Sequence, residues 1–377
     1  MADFATFQAS TRLTFGAGAI ATAGEIVCGL GVGRALVVTD PGLVKAGIVE
    51  RVINVLANAG VESAVFDHVE PNPSLETVYR AMARYREAGC TGFVAVGGGS
   101  SIDVAKGAAM LASNPGALSD YVGISQAVNP LPPLLAVPTT VGSGSEVTIF
   151  AVVTDRAQHR KVVIASPLLA PRCALLDPEL VLSLPVSLVA STGMDALTHA
   201  IESVISVFAS AFSDGLALEA ICIITTHLPR AVSSVEIEAR ANLLYASTMA
   251  GMAFSYARTG LVHGMAHPLG GYYDVPHGLA NAILLPYVLA FDAPASEPQL
   301  TRIAAAMGEK ADPQVAIEAV RRLGAAVGIP RRLSEVGVTE AFIPDMAQDA
   351  FQSSNAQLVN PRKPSLAQVV ELYQQAL

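Results

Sequence analysis

The chain has little charge, few histidines and cysteines, and no clustered bases. Of its 377 residues only 15% are Asp, Glu, Lys or Arg, and the net charge is −9. No run of Lys and Arg interrupts that acidic balance, so nucleic acid is excluded as an expected partner. The four cysteines, Cys28, Cys90, Cys173 and Cys222, stand far apart and form no Cys-x-x-Cys pair. In a chain of this size they read as reduced, buried, small apolar residues of a cytoplasmic protein. The opening residues, Met-Ala-Asp-Phe-Ala-Thr-Phe-Gln, lack a basic stretch followed by an apolar run, so no signal peptide is expected. Internal repeats, low-complexity tracts and a flexible linker are also missing.

Apolar residues are abundant. The hydrophobic fraction is 52% and the mean hydropathy +0.47. That is enough for a large core and, at this length, about two domains. A membrane-spanning helix needs roughly 20 mostly apolar residues. The longest uncharged stretch, Tyr121 to Ser145, carries four prolines, and the apolar run Ile283 to Phe291 is short and broken by Pro286. No membrane span is expected.

The chain changes character near residue 185. Before it, short β-branched runs alternate with helical spacing. Strands are expected at Arg34–Thr39, Glu62–Val69, Gly92–Val96, Leu134–Val137 and Ala174–Leu176. Helices are expected at Leu43–Ala59, Ser74–Ala88 and Ser101–Ala112, and a hairpin at Thr148–Thr154 and Lys161–Ala165. Near-continuous apolar strands separated by helices predict a parallel sheet covered on both faces. After Pro185 the strand signals stop. Helices are expected at Val186–Phe208, Ser213–Thr226, Glu236–Ala257, Leu261–Leu269, Gly278–Phe291, Glu297–Met307, Asp312–Val327 and Ser365–Leu377. The expected architecture is α/β plus all-α: a Rossmann-like α/β domain over 1–185, then a helical domain over 186–377.

Four of the seven histidines fall in two short segments. The first, Gly-Met-Asp-Ala-Leu-Thr-His-Ala-Ile-Glu, holds Asp195 and His199 four residues apart, on one helix face. The second, Val-His-Gly-Met-Ala-His-Pro-Leu-Gly-Gly-Tyr-Tyr-Asp-Val-Pro-His-Gly, holds His263, His267 and His277. Carboxylate and imidazole at these spacings can converge on one divalent cation. The remaining histidines, His68, His159 and His227, show no partner pattern and read as solvated.

Two glycine-rich segments follow strands. Val-Ala-Val-Gly-Gly-Gly-Ser-Ser-Ile-Asp-Val-Ala-Lys (94–106) lets backbone approach a phosphate at a helix N-terminus. Val-Pro-Thr-Thr-Val-Gly-Ser-Gly-Ser-Glu-Val-Thr (137–148) offers hydroxyls at Thr139, Thr140 and Ser143. Two such loops on one sheet fit a dinucleotide at the strand C-termini. Asp40 closes a strand, where an acidic side chain accepts from a ribose diol and repels a 2′-phosphate; an Asp-Pro-Gly turn is the alternative reading.

With these motifs in this order, the chain resembles the iron-containing (group III) alcohol dehydrogenases nearly end to end. The carrying segments are 97–106, Pro-Thr-Thr-Val-Gly-Ser-Gly-Ser-Glu (138–146), 190–202, His-Gly-Met-Ala-His-Pro-Leu-Gly (263–270), Pro-His-Gly (276–278) and Asn-Pro-Arg-Lys-Pro (360–364). The resemblance implies an active site in the cleft between an N-terminal Rossmann-like and a C-terminal helical domain. It makes Asp195, His199, His263 and His277 ligands of Fe(II) or Zn(II), and leaves His267 beside them near the nicotinamide and substrate, as a catalytic proton carrier, a cofactor contact or a packing residue. It places Asp40, Asn72, Gly98, Gly99, Ser100, Thr139, Thr140, Ser143 and Lys161 at NAD(H). Phe150, Phe254 and Leu261 flank the motifs and are expected at the substrate pocket. The implied reaction is hydride transfer between the nicotinamide and a small alcohol or aldehyde on the metal, in a homo-oligomer, dimer or higher. Maleylacetate reductases share the fold but tend to lose the ligand aspartate, which Asp195 supplies here. A non-catalytic metal- and nucleotide-binding homologue is the other alternative.

Overall fold

In the computed structural model, which describes residues 6–124, 126–157 and 160–377, the chain divides into two compact units. One comprises Ala9–Thr140 and Ser145–Ser183; the other holds Val141–Gly144, Leu184–Leu377 and the described residues up to Gln8.

The first unit is built on a parallel sheet. Its strands are β1 (Arg12–Phe15), β2 (Arg34–Val38), β3 (Glu62–Phe66), β4 (Gly92–Gly97), β6 (Leu134–Pro138) and β9 (Cys173–Leu176), with β5 (Gly123–Ile124) between β4 and β6 in sequence. They pair in the order β1-β9-β6-β4-β2-β3, every pairing parallel. β4 and β6 are buried along their whole length and β2 in all but Arg34, as their unbroken apolar runs require. Chain order reverses beside β2: β3 lies on one side and β4 on the other. The C-terminal ends of β2 and β4 therefore form a topological switch point, the usual nucleotide crevice of such sheets. Asp40 follows β2 there, and Gly98 follows β4. The expected hairpin is present as antiparallel β7 (Phe150–Asp155) and β8 (Arg160–Ala165), which join β5 in a second sheet.

Helices α1 (Ala23–Gly29), α2 (Pro41–Lys45), α3 (Ile48–Asn58), α4 (Leu75–Glu87) and α5 (Gly99–Ser113) connect these strands. The single helix expected over Leu43–Ala59 is two, because the backbone turns left-handed at Gly47 (φ 74°). β1 and α1 were not expected. β1 is a four-residue edge strand without buried residues, and α1 is short and rich in small side chains.

The second unit is helical: α6 (Val186–Ile205), α7 (Ala211–Ser233), α8 (Ile237–Ala257), α9 (Leu261–Tyr272), α10 (His277–Ala306), α11 (Pro313–Ala326), α12 (Ile343–Gln352) and α13 (Leu366–Ala376). The two helices expected at 278–291 and 297–307 run on as α10 across a kink at Ser296. α12 and the π-helical turn Asn355–Val359 that follows it were not expected. By length and composition α7 and α10 could cross a membrane. Each packs against other helices of this unit, and α10 buries Asn281 and Asp292 and contains three prolines.

Two readings of single residues need correction. All four cysteines are free, but only Cys90 and Cys173 are buried; Cys28 and Cys222 lie on the outer faces of α1 and α7. His227 is half-buried, with Nδ1 shut away from solvent, because α7 turns that position toward its neighbours. His68 is exposed beside Asp67, and His159 lies outside the described residues.

Candidate functional site

The helical unit gathers the four expected ligands. One ligand atom from each of Asp195, His199, His263 and His277 lies within 4.8 Å of the other three. Asp195 and His199 are one turn apart on α6, His263 comes from the first turn of α9, and His277 opens α10. Close helix approach makes this possible. A Cβ at Gly278 would fall 2.6 Å from the Ser191 carbonyl and 3.1 Å from the Asp195 Cβ, so only glycine lets α10 start against α6.

A second set of groups orients the first. The His199 Nδ1 lies 3.2 Å from the Gly142 carbonyl, and the His263 Nδ1 lies 2.5 Å from the Glu202 carboxylate. Each imidazole then donates from Nδ1 and keeps its Nε2 lone pair for the centre of the cluster, the arrangement of a ligand histidine. Glu202 is fully buried and also accepts from the Val262 N–H. Asn281, one turn after His277, donates to Asp195 Oδ1 at 2.7 Å.

Burial sets the protonation states. It pushes Asp195 up, against the pull of His199 and the Asn281 amide, and pushes His199 down. His263 lies well below the usual imidazole range, first through burial and then through the neighbouring His199, His277 and His267. Burial raises Glu202 to about 8. His199 and His263, which resist protonation, together with His277 and one carboxylate form a donor set for a divalent cation of the iron or zinc type. The residues present fit such an ion.

His267 lies outside the ligand group. Its ring centroid is 5.4 Å from that of His277 and 6.3 Å from that of His263. Phe254 stacks on His199 with centroids 4.3 Å apart. Leu261 is fully buried at the start of α9, where its N–H donates to Asn360 Oδ1. Asn360 also donates to the buried Asp292, so the 360–364 segment fastens the N-terminus of the helix that carries His263.

The α/β unit organises its loops differently. Gly98 caps α5 without a side-chain hydrogen bond to the first turn, which leaves the helix's leading N–H groups without a side-chain cap. Behind it, two motif residues point inward. Asp103 accepts from the Ser145 hydroxyl at 2.6 Å and the Val152 N–H at 3.0 Å. Lys106, fully buried, donates to the Thr148 carbonyl (2.9 Å), the Thr148 hydroxyl (3.0 Å) and the Phe150 carbonyl (2.8 Å). The acid and base of the glycine-rich motif thus lock the second loop to the first. Burial pushes Lys106 down to about 8 and raises Asp103.

Asn72 holds a left-handed backbone (φ 50°), and its Oδ1 accepts from Lys161 Nζ at 2.8 Å. Asp40 caps α2, with Oδ1 accepting from the Leu43 N–H at 3.1 Å, so the turn reading is present alongside any ribose role. Thr139 is buried, while Gly99, Ser100, Thr140 and Ser143 are part-exposed. Val141–Gly144, expected to serve the nucleotide, belongs to the helical unit, and Gly142 there orients His199. A Cβ at Gly142 would fall 2.6 Å from the Thr192 carbonyl.

Glu202, Asn281 and Gly142 escaped the sequence reading. Glu202 and Asn281 carried a usable signal, since Glu202 lies seven residues after Asp195 and Asn281 four after His277, on the ligand faces of their helices.

A nucleotide-type sheet and a buried carboxylate–imidazole cluster define a metal-dependent oxidoreductase by class. Residues 10–178 match the family model for iron-containing alcohol dehydrogenase, and residues 189–377 match that for the Fe-containing alcohol dehydrogenase family, C-terminal. The chain belongs to the iron-containing alcohol dehydrogenases. It is 44% identical over 372 residues to the 1,3-propanediol dehydrogenase of Citrobacter freundii, covering 96% of each chain. It is 36% identical to the NAD-dependent methanol dehydrogenase of Bacillus methanolicus, covering 96% of this chain and 97% of that one. A crystal structure of 1,3-propanediol oxidoreductase superposes with a TM-score of 0.95 at 42% identity, covering 99% of this chain and all of that one.

Proposed function

We propose that this chain is an NAD(H)-linked alcohol dehydrogenase and aldehyde reductase for small alcohols, with one divalent iron or zinc ion held by Asp195, His199, His263 and His277. The observation that carries the reading is the convergence of those four residues within 4.8 Å, in a chain whose other unit has a nucleotide-type switch point. A bound ion supplies Lewis acidity that polarises a carbonyl or acidifies an alcohol.

The chain's own residues do the rest. Glu202 and the Gly142 carbonyl keep His263 and His199 in the ligating tautomer. Phe254 against His199 and the buried Leu261 wall the site from water. His267, half-exposed next to the ligand group, carries the hydroxyl proton to and from solvent. The leading N–H groups of α5, with Gly99 and Ser100, receive the pyrophosphate. Asp40 accepts from the adenosine ribose, and Asn72, Thr139, Thr140, Ser143 and Lys161 complete the cofactor contacts. Phe150 belongs to the substrate pocket. The protein works as a homo-oligomer in the cytoplasm.

The test combines metal and cofactor in one preparation. NADH fluorescence is titrated with protein, metal content is measured, and activity is followed on short alcohols, diols and their aldehydes before and after dipicolinate. Activity that falls on chelation and returns with Fe(II) or Zn(II) supports the reading. Full activity in the stripped protein points to the maleylacetate-type reductase, and failure to bind either NADH or NADPH rules out a dehydrogenase.

A further inference from the structure

The Asn281 amide nitrogen stands at the ligand atoms themselves. It is 2.7 Å from Asp195 Oδ1 and 3.1 Å from the Nε2 of both His263 and His277. Asp195 Oδ1 and the His263 Nε2 are acceptors, as is the His277 Nε2 in its ligating tautomer, and buried acceptors gathered this closely repel one another unless a donor or cation lies among them. An amide brings two N–H groups and no charge. Its other end is consistent with the assignment: Asn281 Oδ1 is buried and has no partner among the described residues, and the reversed amide would set that oxygen against three lone pairs. The side chain is itself fully buried and shares a helix face with His277. Gly278 brings that face against Asp195.

We propose that Asn281 is a positioning residue of the metal centre. Its amide holds the Asp195 carboxylate in ligating position before an ion arrives, and gives up the His263 and His277 Nε2 lone pairs to the ion. This deepens the proposed function and rests on its metal reading. The inference concerns donation, not bulk. Asn281→Leu keeps the volume and removes the N–H groups; Asn281→Ala removes both.

The experiment is chelator-competition titration of Fe(II) and Zn(II) into stripped wild-type, Asn281→Leu and Asn281→Ala protein, with thermal melts of the stripped and loaded forms. Both variants are expected to lose about 10–100-fold in metal affinity, as outer-shell partners of ligands do. The upward shift in Tm on loading should shrink in both. A Leu variant with wild-type affinity, beside an Ala variant that loses it, would show that Asn281 only fills space and overturn the proposal. If Leu does not fold, Asn281→Ala decides the question by its loading shift: an unchanged shift overturns the proposal and a reduced one supports it. Wild-type protein that binds neither ion would instead defeat the metal reading itself, so the two failures are distinguishable.

Discussion

The two units build their candidate sites by opposite means. In the helical unit the chemistry lies in side chains: a carboxylate and three imidazoles converge because helix spacing puts them on facing surfaces, and Glu202, Asn281 and the Gly142 carbonyl orient them. In the α/β unit it lies in main chain. The N–H groups at the start of α5 are the proposed binding feature, and the motif side chains Asp103 and Lys106 turn inward to hold the loop. The first kind of site is sensitive to the identity of a few atoms. The second is sensitive to the stability of its scaffold.

Substitutions should expose that difference. The largest effect belongs to the ligand set. Asp195→Ala is expected to remove bound metal and lower kcat/KM by about 10³-fold or more, since a Lewis acid supplies several kcal/mol; metal analysis with steady-state kinetics checks it, and retained activity without metal would undo the contrast. In the other unit Lys106→Met should act through the fold. It strips three acceptors of their donor and leaves buried Asp103 without the stronger of its two cations, so denaturant unfolding should show a loss of about 3–5 kcal/mol, with metal content unchanged in the folded fraction. Glu202→Gln keeps the shape next to His263 but weakens its hold. Chelator competition is expected to show about 10–100-fold weaker metal binding.

Asp40 tests both kinds of role in one residue. Asp40→Ser retains a capping oxygen for Leu43, so stability should move by no more than about 0.5 kcal/mol. The NADP/NAD ratio of kcat/KM should rise at least about tenfold as the negative charge is lost. Asp40→Ala should lose the cap as well, about 1 kcal/mol.

The remaining effect concerns pH rather than metal or cofactor. Burial lifts Asp292 from 3.8 to about 7. A carboxyl raised in the folded state stabilises fully below its unfolded value, and that contribution is lost as pH rises toward 7. Asp292→Asn should flatten the fall in Tm across that window; an equally steep profile in the variant would assign the fall to other groups.

What was legible follows the same division. The ligand tetrad could be read because histidine is rare here and its spacing fits helices, and the parallel sheet because β2, β4 and β6 are unbroken apolar runs. Glu202 passed as one more polar residue on a helix, and Asn281 was hidden in an apolar run, since neither residue type announces a role without knowledge of what it faces. Gly142 looked like part of a nucleotide loop because its function lies in a carbonyl direction, which no residue letter records. Asp103 and Lys106 were visible as motif letters, but their inward direction was not. β1 and α12 were missed because their partners, β9 and α9, lie far away in sequence.

Asn360 gives the order of synthesis a consequence. All four metal-binding candidates precede it in the chain, yet its side chain holds the first N–H of α9 and reaches Asp292 in α10. A nascent chain that has passed His277 already carries every candidate ligand but still lacks the clasp that fastens His263's helix. The helix that carries His263 is thus fastened by a segment that follows every candidate ligand in the chain.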